Sequence, residues 1–255
     1  RDRLRSRGLG DVYKRQMLGG TENVVLQLCE VFKPKVNKIV VCSCGGVNVE
    51  KLTEMGIRHY QIPDISSKKD ILKICRTVKQ IVEKEQITVI HSHHRMAAFY
   101  TEILFGSSII KIANAHNTFF DKKLLTRFAY RNTKVIAVGK MVKKNLVDYF
   151  RIPEKQVSVI HNAVKPFDGD YIEDKYIRKL HDDGNFVVGN IGRLSEQKGM
   201  EYFIESVPKI LKKYPQTRFV IAGNGEDEQK LFSLVKKLGI EAVSYTHLRA
   251  HETGA

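Results

Sequence analysis

The chain has 255 residues, 42% of them hydrophobic and 28% charged, with a formal net charge of +15. That length suits one large or two modest domains with ample core. No apolar run reaches the roughly 20 residues that a membrane-spanning helix needs, and the basic balance favours anionic partners.

Residues 1–16 are crowded with Arg and show no apolar period. The first periodic segment follows the Gly19-Gly20 turn, a helix through Val24, Val25, Leu28 and Val31. A strand is predicted over Ile39–Cys42, a helix over Val49–Met55 and a short strand over Ile57–Ile62, ended by Pro63. Ile71, Leu72, Cys75, Val78, Ile81 and Val82 recur at the spacing of a long amphipathic helix. Strands then recur at Thr88–His91, Ile109–Ala113, Val135–Val138 and Val157–Ile160, with helices between them. This alternation predicts a parallel sheet covered on both faces. The pattern breaks over Pro166–Gly184, where Asp168-Gly169-Asp170 and Asp182-Asp183-Gly184 bound a charged segment. A second alternating unit opens with the strand Phe186–Ile191 and a helix from Met200 to Leu211. The predicted fold class is α/β, two Rossmann-like doubly wound domains. The four cysteines, at 29, 42, 44 and 75, have no second ligand pair at zinc spacing and read as reduced thiols.

The chemistry-bearing residues sit where strands end. Gly192-Arg193-Leu194-Ser195-Glu196-Gln197-Lys198-Gly199 places two cations between a strand and a helix start. Arg can fork two phosphate oxygens, Lys acts as a point charge, and helix-start N–H groups favour an anion. A plain solvated loop with two surface cations is the alternative. His91, His93 and His94 follow one strand and His116 another. Ligands of open α/β sheets bind beyond the carboxyl ends of strands, and imidazoles can hydrogen-bond sugar hydroxyls. Zinc is disfavoured there, because no Cys or carboxylate stands at ligand spacing. Gly19-Gly20 and Gly223-Asn224-Gly225 are glycine turns before helices, sufficient as plain turns. Neither builds a full Gly-x-Gly-x-x-Gly fingerprint with its ribose-binding acid, and no P-loop is present, so NAD enzymes and P-loop nucleotidases are disfavoured. Glu201 reads as a helix-start charge rather than a catalytic acid.

Taken in order, these segments resemble family 4 glycosyltransferases of the GT-B fold, from about Met17 to Val243. The Gly-Arg-x-x-x-x-Lys-Gly loop resembles the family's donor-diphosphate loop, and Gly19-Gly20-Thr21-Glu22 its N-terminal glycine turn. Val89 to His94 and Ala113 to Asn117 resemble two strand-end histidine loops, and Phe219 to Gly225 the second strand of the nucleotide domain. The resemblance implies a retaining enzyme that moves a sugar from a nucleotide diphosphate sugar to an acceptor hydroxyl, in polysaccharide or glycolipid synthesis. It implies donor binding by Gly19, Gly20, Arg193, Lys198, Gly223, Asn224 and Gly225. His116, Arg193 and Lys198 become the catalytic candidates, His116 beside the anomeric carbon, with His91, His93 and His94 on the acceptor side. No metal and no other cofactor is expected; the two cations take the metal's place. The expected partners are the nucleotide-sugar donor, a glycan or lipid-linked acceptor and an anionic membrane surface at the cytoplasmic face, with no nucleic acid.

The predicted layout is foreign sequence at 1–16, an acceptor-side Rossmann-like domain at 17–166, an interdomain segment at 167–185, the start of a nucleotide-sugar domain at 186–243 and foreign sequence at 244–255. The family's first strand is expected before Gly19 and is absent from the pattern. The Glu-x7-Glu segment belongs beyond Val243 and is absent too. The C-terminal domain is therefore read as truncated, and the chain as an inactive internal fragment. Residues 1–16 carry +4 of the net charge, which leaves the remainder at +11. A reading of another class stays open on that charge: a non-catalytic basic Rossmann-like module that binds RNA or anionic membrane.

Overall fold

A computed structural model describes residues 20–46, 48–164, 166, 169, 173–241 and, in backbone, 244–247. Internal contacts divide the chain into two units, residues 1–165 and 166–255.

In the first unit strands alternate with helices throughout. They are α1 (Gly20–Phe32), β1 (Val40–Ser43), α2 (Asn48–Glu54), β2 (Arg58–Gln61), α3 (Ile71–Glu85), β3 (Val89–Ser92), α4 (Arg95–Phe105), β4 (Ile110–Ala115), α5 (Lys123–Ala129), β5 (Lys134–Ala137), α6 (Lys140–Lys144) and β6 (Val157–Val159). α3 forms where the period predicts it and buries Ile81 and Val82, with Ile74 beside them, but Ile71 and Leu72 of the predicted stripe are exposed. The helix ends where Gln86 turns left-handed and its N–H reaches the carbonyls of Val82 and Glu83. Every strand pairing is parallel. The strands do not form one sheet, however. Among the described residues β1 pairs with β2 alone, and β3-β4-β5-β6 form a separate four-stranded sheet. Each sheet has its own apolar cluster. Cys29, Leu52 and Ile57 pack at the first; Ala98, Ala113, Ala129, Val135, Leu146 and Phe150 pack at the second. The expected position of a strand before Gly19 lies outside the described residues.

The second unit contains α7 (Lys175–Asp182), β7 (Phe186–Ile191), α8 (Met200–Lys213), β8 (Thr217–Ala222), α9 (Glu228–Lys237) and β9 (Ser244–His247). Its sheet is parallel in the order β7-β8-β9. Leu194, Ile204, Val207, Phe219 and Ile221 form its core. Two elements fall where the sequence shows none. α7 stands inside the charged segment because Asp174 caps it, accepting from the N–H groups of Tyr176 and Ile177. β9 stands in the patternless end, pairing parallel with β8 from Phe219 against Ser244 to Ala222 against His247. Asp168 and Asp170 lie outside the described residues. Among the described residues no helix is long and apolar enough to cross a membrane.

Candidate functional site

The histidines gather at the carboxyl ends of β3 and β4. The parallel register pairs His91 with Ile112 and Ser92 with Ala113, so the residues after both strands emerge side by side. His93 Nδ1 lies 3.3 Å from His116 Nε2. The ring centroids of His91 and His93 are 4.5 Å apart, and those of His93 and His116 are 5.5 Å apart and stacked. His91 Nε2 donates to Asn114 Oδ1 at 2.9 Å. Burial disfavours the charged form of all three rings. It lowers the His93 pKa to about 3, with further lowering by His91 and His116, and it lowers those of His91 and His116 as well. The cluster is therefore neutral at physiological pH. His94 stands apart from it. Its Nδ1 accepts from the Met96 N–H and caps α4. Among the described residues no three His, Cys, Asp or Glu side chains converge as a metal-binding group.

The loop after β4 is held from several sides, by residues that the sequence pattern did not single out. The Asn145 side chain brackets Phe119, accepting from its N–H and donating to its carbonyl at 3.1 and 2.9 Å. Tyr149 donates to the Phe120 carbonyl at 2.6 Å. Arg95 pairs with Asp121 at 2.8 Å and lies over the Phe119 ring. The Asn145 amide is buried, and a buried Asn needs partners for both ends.

In the second unit the loop after β7 carries Arg193 and Lys198. It is not irregular throughout, for Glu196–Lys198 wind into one 3-10 turn before Gly199 opens α8. Leu194 and Ser195 are buried and anchor the loop, while Arg193 is half-buried and Lys198 exposed. Among the described residues neither cation has a hydrogen bond or ion pair. Glu201 is engaged instead by Lys230 at 2.6 Å. Glu201 stands in the first turn of α8.

The Gly223-Asn224-Gly225 turn lies directly against that loop. Gly192 N–H donates to the Ala222 carbonyl and Leu194 N–H to the Asn224 carbonyl, both at 2.9 Å. A Cβ at Gly223 would meet the Gly192 carbonyl oxygen at 1.9 Å, and one at Gly225 the Leu194 oxygen at 2.1 Å. Both glycines are thus required for the backbones to approach. By contrast a Cβ at Gly20, the first residue of α1, would meet nothing within 4 Å. Gly19 lies outside the described residues.

Comparison with known proteins follows the same division. Residues 18–166 match Glycosyltransferase Family 4, and residues 172–251 match Glycosyl transferases group 1. A human phosphatidylinositol N-acetylglucosaminyltransferase subunit is 27% identical over 227 residues, covering 82% of this chain and 46% of that protein. An uncharacterized glycosyltransferase of Methanocaldococcus jannaschii is 29% identical over 183 residues, covering 63% of this chain and 46% of that one. Among solved structures, a Rickettsia africae glycosyltransferase superposes with a TM-score of 0.73 at 17% identity, over 91% of this chain and 65% of that one. HepE of Anabaena in complex with UDP superposes with a TM-score of 0.70 at 18% identity, over 91% and 66%. The chain spans about half the length of these curated relatives and about two thirds of these solved structures. The match over residues 18–166 and the shared architecture make one conclusion: the chain belongs to the family 4 glycosyltransferases, with the GT-B fold.

Proposed function

We propose that the protein transfers a sugar from a nucleotide diphosphate sugar to an acceptor hydroxyl with retention of anomeric configuration, in the synthesis of a glycolipid or polysaccharide. The observation that carries this reading is the loop after β7, where Arg193 and Lys198 stand without a partner among the described residues, on a backbone held by buried Leu194 and Ser195. In the reaction the bond from the anomeric carbon to the diphosphate breaks. A bond from that carbon to the acceptor oxygen forms, and the acceptor proton is released. Negative charge builds on the leaving diphosphate, and two positioned cations stabilise it. They supply the countercharge without a metal. His116 is assigned to the donor sugar beside the reacting carbon, and His91, His93 and His94 to the acceptor side. Gly223, Asn224 and Gly225 serve donor binding by seating the Arg193 loop; Gly19 and Gly20 are assigned to the diphosphate. Two relatives support the ligand classes: HepE was crystallised with UDP-glucose, and the human relative is named for N-acetylglucosamine transfer to phosphatidylinositol. The reading extends to a lipid-linked acceptor and a membrane surface at the cytoplasmic face, and the second name supports the lipid class of the acceptor.

Calorimetric titration with uridine diphosphate tests this reading. Binding is expected at moderate salt and is expected to weaken at least tenfold in Arg193→Ala. Unchanged binding in that variant would overturn the diphosphate assignment. RNA binding that falls steeply with salt, with no competition by uridine diphosphate, would favour the basic-module reading instead.

A further inference from the structure

Of the three rings at the ends of β3 and β4, His93 and His116 are hydrogen-bonded to each other, His91 is hydrogen-bonded to Asn114, and His91 meets His93 by ring contact. A neutral imidazole has one N–H donor and one acceptor nitrogen. His91 Nε2 faces an amide oxygen, Asn114 Oδ1, at 2.9 Å, so that nitrogen carries the hydrogen and Nδ1 is bare. His93 Nδ1 and His116 Nε2 face each other at 3.3 Å, and a single hydrogen lies between them. Placing it on His116 Nε2 leaves His93 protonated on its own Nε2. All three rings then share one tautomer, and His93 Nδ1 serves as the acceptor. His116 Nδ1 is left as a bare acceptor without a partner among the described residues, on a half-buried ring. Its natural ligand is a group that donates a hydrogen bond, such as a sugar hydroxyl.

We propose that His93 is a positioning residue for His116: its Nδ1 accepts the His116 Nε2–H, and thereby fixes the tautomer and ring orientation that turn His116 Nδ1 toward a ligand hydroxyl. Contact with His91 holds the His93 ring in turn, at 4.5 Å between centroids. The backbone beneath is equally restrained, because the loop carrying His116 is bracketed by Asn145, Tyr149 and Arg95. Burial keeps the rings neutral, so the arrangement persists across the physiological range. The functional consequence rests on the assignment of His116 to the donor sugar; the tautomer itself does not.

The test is histidine-selective 15N correlation spectroscopy of the whole protein at pH 8, which reports which ring nitrogen carries the hydrogen. In the parent protein His116 is expected as the single Nε2–H form. His93→Phe keeps a ring beside His91 but removes the acceptor, and His116 is then expected to populate both tautomers. His93→Asn places an amide oxygen near the lost Nδ1 and is expected to restore the single form. A His116 spectrum that stays the same in His93→Phe would overturn the proposal, and so would His93→Asn behaving like His93→Phe. Nδ1–H in the parent protein would overturn it directly. Titration of the full-length protein with UDP-glucose separates the two readings. A locked tautomer with no donor binding leaves the positioning role standing and removes the glycosyltransfer reading. In an active preparation His93→Phe is expected to lower kcat roughly tenfold with KM unchanged, the pattern of a lost transition-state contact.

Discussion

Charge is used in opposite ways in two regions, the buried ion pairs of the first unit and the loop after β7 in the second. In the first, the buried cation Lys111 meets the buried carboxylate of Glu102 and the Gly106 carbonyl, and Asn132 donates to the other Glu102 oxygen. Glu85, also buried, accepts from Tyr60, from Arg58 at 2.7 Å and from Lys38 at 3.0 Å, which ties the end of α3 to β2 and to the segment before β1. In the second unit the two cations after β7 have no partner among the described residues. The difference separates structural charge from charge held for a ligand. A buried ion that loses its partner destabilises the fold. A cation with no partner can be removed with little effect on folding, and its loss is felt when an anion arrives.

The largest expected effect tests the structural side. Lys111→Met strands the Glu102 carboxylate in the interior and should cost about 3–5 kcal/mol in urea unfolding. Arg193→Ala should stay within about 0.5 kcal/mol of the parent in the same measurement. Equal costs would erase the distinction. The next effect falls on the other side: in a full-length protein, Arg193→Ala or Lys198→Ala should lower turnover with a nucleotide-sugar donor roughly 100- to 1000-fold, about 2.7–4 kcal/mol of transition-state stabilisation. Near-normal rates in both variants would remove the loop from the mechanism.

A smaller effect separates the loop's cations from its seat. Gly225→Ala drives a methyl against the Leu194 carbonyl and should cost about 1–3 kcal/mol as an overpacked contact. It should also weaken uridine diphosphate binding although both cations remain. Gly20→Ala has open space and should leave stability unchanged or slightly raised. A binding loss in that variant would show that the glycine serves a ligand's approach.

The smallest effects are those of pH, and they divide the first unit internally. Hydrogen bonds from Tyr60 and Lys38 lower the Glu85 pKa from 4.5 to about 2. Its stabilisation is present above pH 4.5 and is lost as pH falls toward 2. The His93 pKa is lowered from 6.5 to about 3. Between those values the unfolded chain binds the extra proton, so stability rises with pH across that window. Thermal melts should therefore show two losses on acidification. Glu85→Gln should flatten the lower one and His93→Phe the upper one. A profile that both variants leave unaltered would mean that neither group is linked to folding.

Much of this is legible in the order of residues alone. Period-2 and period-3.6 patterns locate α3, β4, β5, β7 and α8 because each buries one defined face, and burial selects apolar residues at fixed spacing. The strand-end histidines and the Arg193 loop are legible for a related reason: polar residues at those points are not needed by the sheet. Less is visible where the determining contact is local or backbone-made. α7 depends on the single capping carboxylate of Asp174, and β9 on pairing to β8. The separation of β1–β2 from β3–β6 leaves no mark in the apolar pattern of either.

The sequence by itself determined the α/β alternation, the family and the types of residue offered to a ligand, since these depend on composition, period and order along the chain. Only the tertiary structure decided which of those residues meet. It joined His93 to His116 across 23 positions, set His94 to capping a helix, and turned Gly223 and Gly225 into the seat of the Arg193 loop. Those outcomes depend on distances of a few ångströms between segments far apart in the chain. Such distances are set by how strands pair and cores pack, which no local pattern records.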